Sequence, residues 1–434
     1  MINPEIRQAT KDYPFFAYCL FTIFMVFVSI YAIQSWPNLW AQTFISFACL
    51  VTLLLTFQKE FSTLNNRKKW PVEIKFVLSI LALGTLNICY SENNWQSFKG
   101  MGLFLMTGIS VFFVTFFLFQ SAKNRNIFFT LCTLCFFILI IYGLFEFLQQ
   151  SAIPKKRILL SSFNPIPAGS LLILLSLGPL SLLTLHKSCW KRKVLVSSLI
   201  LGVIVIILIG QRGPLLALLG MAFLWLAVNR KWLLVFTLTT MFVAGTAYQF
   251  RDQIPAIYQH QMQNKETLLI RLEFYPITLN VLKEKPLFGL GFNSSLSRFI
   301  PDDYESKIFP RDGKHSFYEM AYNLNIFDNM ALTFLGETGG LFSAAYICLI
   351  AFLIKNKASI AHRNKDEMMR FSFLLIVLVG FMAHSMTFDS LKYPHLNWIF
   401  HSLLGLLAQR EEIKKNHSGK TNCTFKASIL SPIK

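Results

Sequence analysis

Apolar runs of about 17–25 residues follow one another down this chain, parted by short polar links. A helix of that length crosses roughly 30 Å of hydrocarbon. The pattern predicts twelve membrane spans, at about 14–33, 39–58, 75–91, 101–120, 127–149, 167–185, 194–211, 214–229, 232–248, 329–354, 371–389 and 396–409. The shortest link, Gln211-Arg212-Gly213-Pro214, joins the seventh span to the eighth. The alternation breaks once at length, between the ninth and tenth spans, where residues 249–328 form a long polar loop. Inside that loop, Leu268 to Leu282 carry apolar residues at a spacing that suits a helix lying on a membrane surface. Pro276 is expected to kink or start that helix. Pro286, Gly289 and Gly291 then punctuate the chain and end it. The expected fold class is therefore all-α: one polytopic membrane domain over 1–434, with the large loop at 249–328 and a tail at 410–434.

Composition supports this and removes alternatives. Hydrophobic residues make up 54% of the 434 and charged residues only 15%, with 44 phenylalanines, which is not the profile of an ordinary soluble domain. The formal net charge of +19 raises the question of nucleic acid. Its placement answers it: the long loop holds nine Lys/Arg against ten Asp/Glu, and the excess lies in short links on one side. Those links carry Lys59, Arg67, Lys68 and Lys69; Lys123 and Arg125; Lys187, Lys191, Arg192 and Lys193; Arg230 and Lys231; and Lys355, Lys357, Arg363, Lys365 and Arg370. The tail from Arg410 adds to them. Cytoplasmic links are the ones enriched in Lys and Arg, so both termini and the tail are expected inside and the long loop outside, in the periplasm. The trio Lys155-Lys156-Arg157 departs from this rule, and its position suits either a solvated loop or contact with anionic lipid or a diphosphate. Arg7 and Lys11 precede a first span with no cleavage signal, which is expected to be a retained helix. Cys132 and Cys135 form a C-x-x-C in mid-span, where apolar filling is the expected role.

Ionisable groups near or inside spans are costly and default to functional candidates. On this topology Glu146, Arg212, Glu337, His384 and Asp389 all fall near the outer surface. Arg212 is the sharpest of them, because a guanidinium stays charged and presents a planar fork of donors suited to phosphate. Gly213 lets a ligand approach the backbone, and Pro214 suits the first turn of the following helix. Arg271, in an apolar stretch of the loop, is a second candidate; pairing with Glu266 or Glu273 is its structural alternative. His315 has the ordinary chemistry of a base that takes a proton from a hydroxyl. Asp328, at the entry to the tenth span, suits that role or a helix cap. No metal-ligand spacing, Walker loop or Asp-x-Asp pair stands out, so neither metal nor cofactor is expected. The energy for a transfer would then already be stored in the donor.

Three segments resemble the O-antigen ligase/O-antigen polymerase superfamily. They are Gln211-Arg212-Gly213-Pro214 with the helix it opens; Arg271 followed by Leu282 to Gly291, with its Pro-Leu-Phe-Gly-Leu-Gly run; and Asp328-Asn329 through Glu337-Thr338-Gly339-Gly340. The resemblance implies a lipopolysaccharide O-antigen ligase-like enzyme of the bacterial inner membrane. It would take a glycan from an undecaprenyl-diphosphate-linked donor to lipid A–core, without metal and with inversion. It assigns the diphosphate to Arg212 and Arg271, with Gly213, Gly289, Gly291, Asn329 and Glu337 in support. The family has a histidine just before the asparagine matched by Asn329, and this chain has Asp328 there. Either Asp328 is the base, or His315 reaches the same place, or the acceptor chemistry differs. A polymerase and a protein-directed oligosaccharyltransferase of the same superfamily are the alternatives, and a polysaccharide or lipid transporter is the rival from another class.

Overall fold

A computed structural model describes residues 72–119, 121–149, 165–185, 188–228, 265–294, 329–361 and 365–409. The spans expected at 14–33, 39–58 and 232–248 lie outside the described residues, as do most of the long loop and the tail. The described residues are mostly helical, and seven of their helices have the length and apolarity to cross a membrane.

In chain order these are α1 (Val72–Tyr90), α2 (Asn94–Leu118), α3 (Ala122–Gln149), α4 (Ile166–Leu185), α5 (Cys189–Ile209), α8 (Met330–Ala361) and α9 (Asp366–Ser385). Three further helices are α6 (Arg212–Val228), α7 (Lys265–Glu284) and α10 (Pro394–Ala408). Local sequence explains their ends. Asn93 caps α2, its side chain accepting from the Gln96 N–H at 3.0 Å. Gly210, in the left-handed region, closes α5. Pro394 opens α10, where a missing N–H costs nothing. Of the two roles expected of Pro276, the structure removes one: α7 does not start there but runs through it, from Lys265 to Glu284. Its buried stripe of Phe274, Ile277, Thr278 and Val281 holds it against α8, and that packing outweighs the lost backbone bond.

The core is aromatic and aliphatic. Trp398, Phe112, Phe119, Phe128, Phe136, Phe342, Phe381 and Phe400 are its largest enclosed side chains. Every residue of α10 from His395 to Ala408 is buried, which makes it the central post. The outer helix α5 instead presents Trp190, Val196, Ile200, Val203 and Ile204 outward, an apolar surface that suits hydrocarbon.

α2 changes pitch at Leu105–Ile109, a π-helical turn. Gly108 there leaves room for the His401 ring of α10, which a side chain at that position would strike. His401 Nδ1 donates to the Asn397 carbonyl at 2.9 Å, so its Nε2 accepts from the Tyr346 hydroxyl at 2.9 Å. Asn397 donates to Thr107 at 2.8 Å. This buried chain ties α2, α8 and α10 together by polar contacts inside an apolar bundle.

Short links make successive helices antiparallel and sort their ends into two sets. One end carries Lys123, Arg125, Lys191, Arg192, Lys193, Lys355, Lys357 and Arg370. The other gathers the ends of α1, α5, α7 and α9 with the starts of α2, α4, α6, α8 and α10, and the candidate chemistry is found there.

Candidate functional site

The site is organised by a break in α8. Gly339 has φ 71° and ψ −177°, so the helix is interrupted there and the Gly340 and Leu341 N–H groups lose the Gly336 and Glu337 carbonyls they would normally reach. The segment after α7 replaces both partners at once. Leu290 and Gly291 donate their N–H groups to the Gly336 and Glu337 carbonyls at 3.0 and 2.8 Å. Gly340 and Leu341 donate to the Pro286 and Leu287 carbonyls at 2.9 and 3.2 Å. Four backbone groups that the break would orphan are thus satisfied by one docked turn, which is what non-helical backbone in an apolar bundle requires. The close approach needs glycine on both sides. Gly289 (φ 64°) and Gly339 sit back to back, and a Cβ on either would fall 2.5–2.7 Å from backbone atoms of the other segment.

Side chains lock the junction. Asn87, fully buried in α1, donates to the Phe288 carbonyl and, at 3.1 Å, to the Glu337 carbonyl, and accepts from the Phe292 N–H at 3.1 Å. The Glu92 N–H donates to the Leu290 carbonyl at 3.2 Å, and Lys285 pairs with the Glu92 carboxylate at 3.0 Å. Glu337, 4% exposed, forms an ion pair with Lys392 from the α9–α10 corner. Lys392 also donates to the Asn293 side chain at 3.4 Å, and Asn293 itself has φ 55°. Burial pulls the Lys392 ammonium's pKa down, but the Glu337 and Asp389 carboxylates outweigh it and hold the pKa above the ordinary 10.5. The Lys392 ammonium therefore stays charged at neutral pH, and its contact with Glu337 brings α8, the docked turn and the α9–α10 corner to one point.

Beside this lies the corner between α5 and α6. Helix α6 begins at Arg212, with Pro214 in its first turn. A Cβ on Gly213 would strike the His384 ring and lie 2.7 Å from Thr387 Oγ1, and one on Gly169 would lie 2.5 Å from Pro214 Cγ. The corner is thus wedged between the start of α4 and the end of α9. His384 is fully buried beneath it, with Nε2 against the Ser170 hydroxyl. The start of α6, the positive end of its dipole, lies at this rim, a setting that favours an anion.

The expected site residues divide accordingly. Gly213, Gly289, Gly291, Glu337 and the Arg212 backbone come to this end of the bundle. Asn329 is buried at the α8 start and caps it, its side chain accepting from the Leu332 N–H at 3.2 Å. Arg271 belongs to α7. His315 and Asp328 lie outside the described residues. Asn87, Lys392 and Ser170 are structural partners that the sequence reading did not single out, whereas His384, which Ser170 meets, was among its candidates. A polar Asn within the apolar run of α1 was the available signal for the first. Among the described residues, no group of three His, Cys, Asp or Glu is placed to hold a metal ion.

Residues 197–341, about a third of the chain, match the family model described as O-antigen ligase. The match takes in α6, α7, the docked turn and the broken start of α8. No curated protein matches the chain.

Proposed function

We propose that this protein is an inner-membrane glycosyltransferase of the O-antigen ligase type, which moves a preassembled glycan from undecaprenyl diphosphate to a hydroxyl of lipid A–core on the periplasmic side. The observation that carries this reading is that the family-matched region converges on one end of an apolar helical bundle, opposite the end rich in Lys and Arg. In the positive-inside sense, that convergent end faces the periplasm.

In the proposed reaction the acceptor oxygen attacks the anomeric carbon of the donor's reducing-end sugar. The bond from that carbon to the phosphate oxygen breaks, the diphosphate leaves with the electron pair, and configuration inverts. Arg212 and Arg271 hold the diphosphate and stabilise the charge that grows on it. The acceptor proton passes to a base, Asp328 or His315. Gly289 and Gly291 seat the turn against α8, which anchors the C-terminal end of α7 and with it the helix that carries Arg271. Lys392 neutralises Glu337, so a buried carboxylate does not oppose an anionic donor nearby.

The test is the lipopolysaccharide banding pattern of a deletion strain, paired with transfer by purified protein given donor and acceptor. Loss of long-chain bands with polymerised glycan left on the lipid carrier is the expected result. Lipopolysaccharide carrying a single repeat would identify a polymerase instead. An unchanged pattern, with no transfer in detergent, would overturn the reading.

A further inference from the structure

His384 is a buried ionisable side chain to which the reaction above gives no part. It stands in the last turn of α9, fully enclosed, beneath the corner from which α6 starts. Its Nε2 meets the Ser170 hydroxyl of α4. That hydroxyl gives its own proton to the Ile166 carbonyl at 2.9 Å, so its oxygen accepts and His384 Nε2 is the donor. In the neutral ring Nδ1 is then an acceptor. Nδ1 is also the ring atom nearest to the place a Gly213 Cβ would occupy, with Thr387 Oγ1 at 2.7 Å from the same point. The imidazole therefore lies directly under the backbone of the Arg212–Gly213 corner, its acceptor side toward the positive end of the α6 dipole. Further along, α6 and α9 touch through apolar groups: a Cβ on Gly380 would strike the Met221 side chain, and Trp225 stacks on Phe373 at 5.0 Å.

A polar ring enclosed in an apolar bundle costs free energy unless its nitrogens are hydrogen-bonded. Phenylalanine or leucine would fill the same space without that cost, so filling space does not single out histidine here. What the imidazole adds is a fixed place: Nε2 is tied to α4, and the Nδ1 side sits against the first turn of α6. Gly213 permits the contact, because any side chain there would occupy the place of the ring. Arg212 directly precedes Gly213, so a shift of this seat moves the backbone that carries the guanidinium. Small displacements of a group that holds the reacting substrate are costly to rate. We propose that His384 is a positioning residue for the transfer: held by Ser170, it seats the Arg212–Gly213 backbone and so sets where the Arg212 guanidinium meets the donor's diphosphate. The inference rests on the glycosyltransferase reading above and adds to it two side chains, His384 and Ser170, that act through Arg212.

The experiment measures steady-state transfer by purified full-length protein, with lipid-linked glycan extracted from the deletion strain as donor and that strain's lipopolysaccharide as acceptor. Ser170→Ala removes the tether, and His384→Phe fills the space without it. Each should lower kcat/KM for the donor about tenfold, the effect of one charged hydrogen bond at the diphosphate, with KM for the acceptor unchanged. His384→Gln, whose amide can still donate to Ser170, should recover part of the loss. The decisive comparison is a double-mutant cycle with Arg212→Lys. Adding Ser170→Ala to Arg212→Lys should cost about threefold or less, because the fork that the seat aims is already gone. An equal loss in both backgrounds overturns the proposal, since it reveals a general structural defect. So do wild-type kinetics in Ser170→Ala and His384→Phe when Arg212→Ala is inactive. If His384→Phe fails to fold, Ser170→Ala and the cycle still decide. Wild-type protein that transfers nothing, or an active Arg212→Ala, would instead overturn the glycosyltransferase reading itself and this inference with it.

Discussion

Gly289→Ala tests whether the docked turn holds the site together. The new Cβ would lie 2.6 Å from the Gly336 carbonyl oxygen and the Gly339 nitrogen, and 2.7 Å from the Glu337 carbonyl oxygen. All three are backbone atoms and cannot rotate away. Ordinary contact begins near 3.4 Å, so the turn must retreat by about 0.8 Å. That retreat stretches the 3.0 and 2.8 Å bonds from Leu290 and Gly291 past the limit of a useful hydrogen bond. An L-residue with left-handed φ adds about 1–2 kcal/mol, and each weakened backbone bond about 1 kcal/mol. The expected loss is about 3 kcal/mol or more, with a fall in thermal midpoint of about 5 °C or more and loss of glycan transfer. Gly102→Ala is the control: it lies in α2, a methyl group there would meet nothing within 4 Å, and the variant should keep wild-type activity with a midpoint equal to or slightly above wild type. Gly289→Asn separates the two causes, because asparagine tolerates this φ yet keeps the clash. A Gly289→Ala protein with wild-type midpoint and activity would refute the account of the junction.

Arg212→Ala and Arg271→Ala should each abolish transfer while leaving the protein in the membrane, as measured by product formation and membrane yield; wild-type activity in either would sink the diphosphate clamp. Arg212→Lys should also be impaired, since an ammonium does not reproduce the guanidinium fork. Between Asp328→Asn and His315→Gln, the variant that removes the base should lower the turnover rate at saturating donor and flatten the pH–rate profile, whereas loss of a mere cap should lower the thermal midpoint instead. Lys392→Met should destabilise the protein by stranding Glu337, and Glu337→Gln in the same chain should recover part of the loss in a double-mutant cycle. Because the folded pKa of Lys392 is raised above 10.5, its stabilising contribution is complete below that value and fades as pH rises through the folded pKa. The difference in midpoint between wild type and Lys392→Met should therefore be flat across neutral pH and shrink only in strongly alkaline solution.

Much of the bundle was legible because a membrane span is written in one dimension. Length and apolarity alone place α1 through α5, α8 and α9 at the expected spans, with ends that differ by up to seven residues. The short links then dictate which helix ends meet, so the grouping of the Arg212 corner with Glu337 followed from topology. Pairwise contacts across the bundle were not legible in the same way. Gly289 and Gly291 read as a turn, and they are one, but nothing in their spacing said that the turn replaces the hydrogen bonds of a helix broken at Gly339. That exchange depends on two segments some fifty residues apart fitting backbone to backbone. Lys392 stands in the sequence as a lone cation in a short link, with nothing to mark its partner, although its charge is what makes a buried Glu337 tolerable. Pro276 is a related case: local propensity allows a kink or a start, and the start is excluded because the packing of Phe274, Ile277 and Val281 carries the helix through it. In each case the deciding partner is distant in sequence and lies on another helix. The same point explains why the glycines of this site are better guides than its charges. A charge can be exchanged among several positions on a rim, whereas two backbones that approach as closely as Gly289 and Gly339 leave room for no other residue.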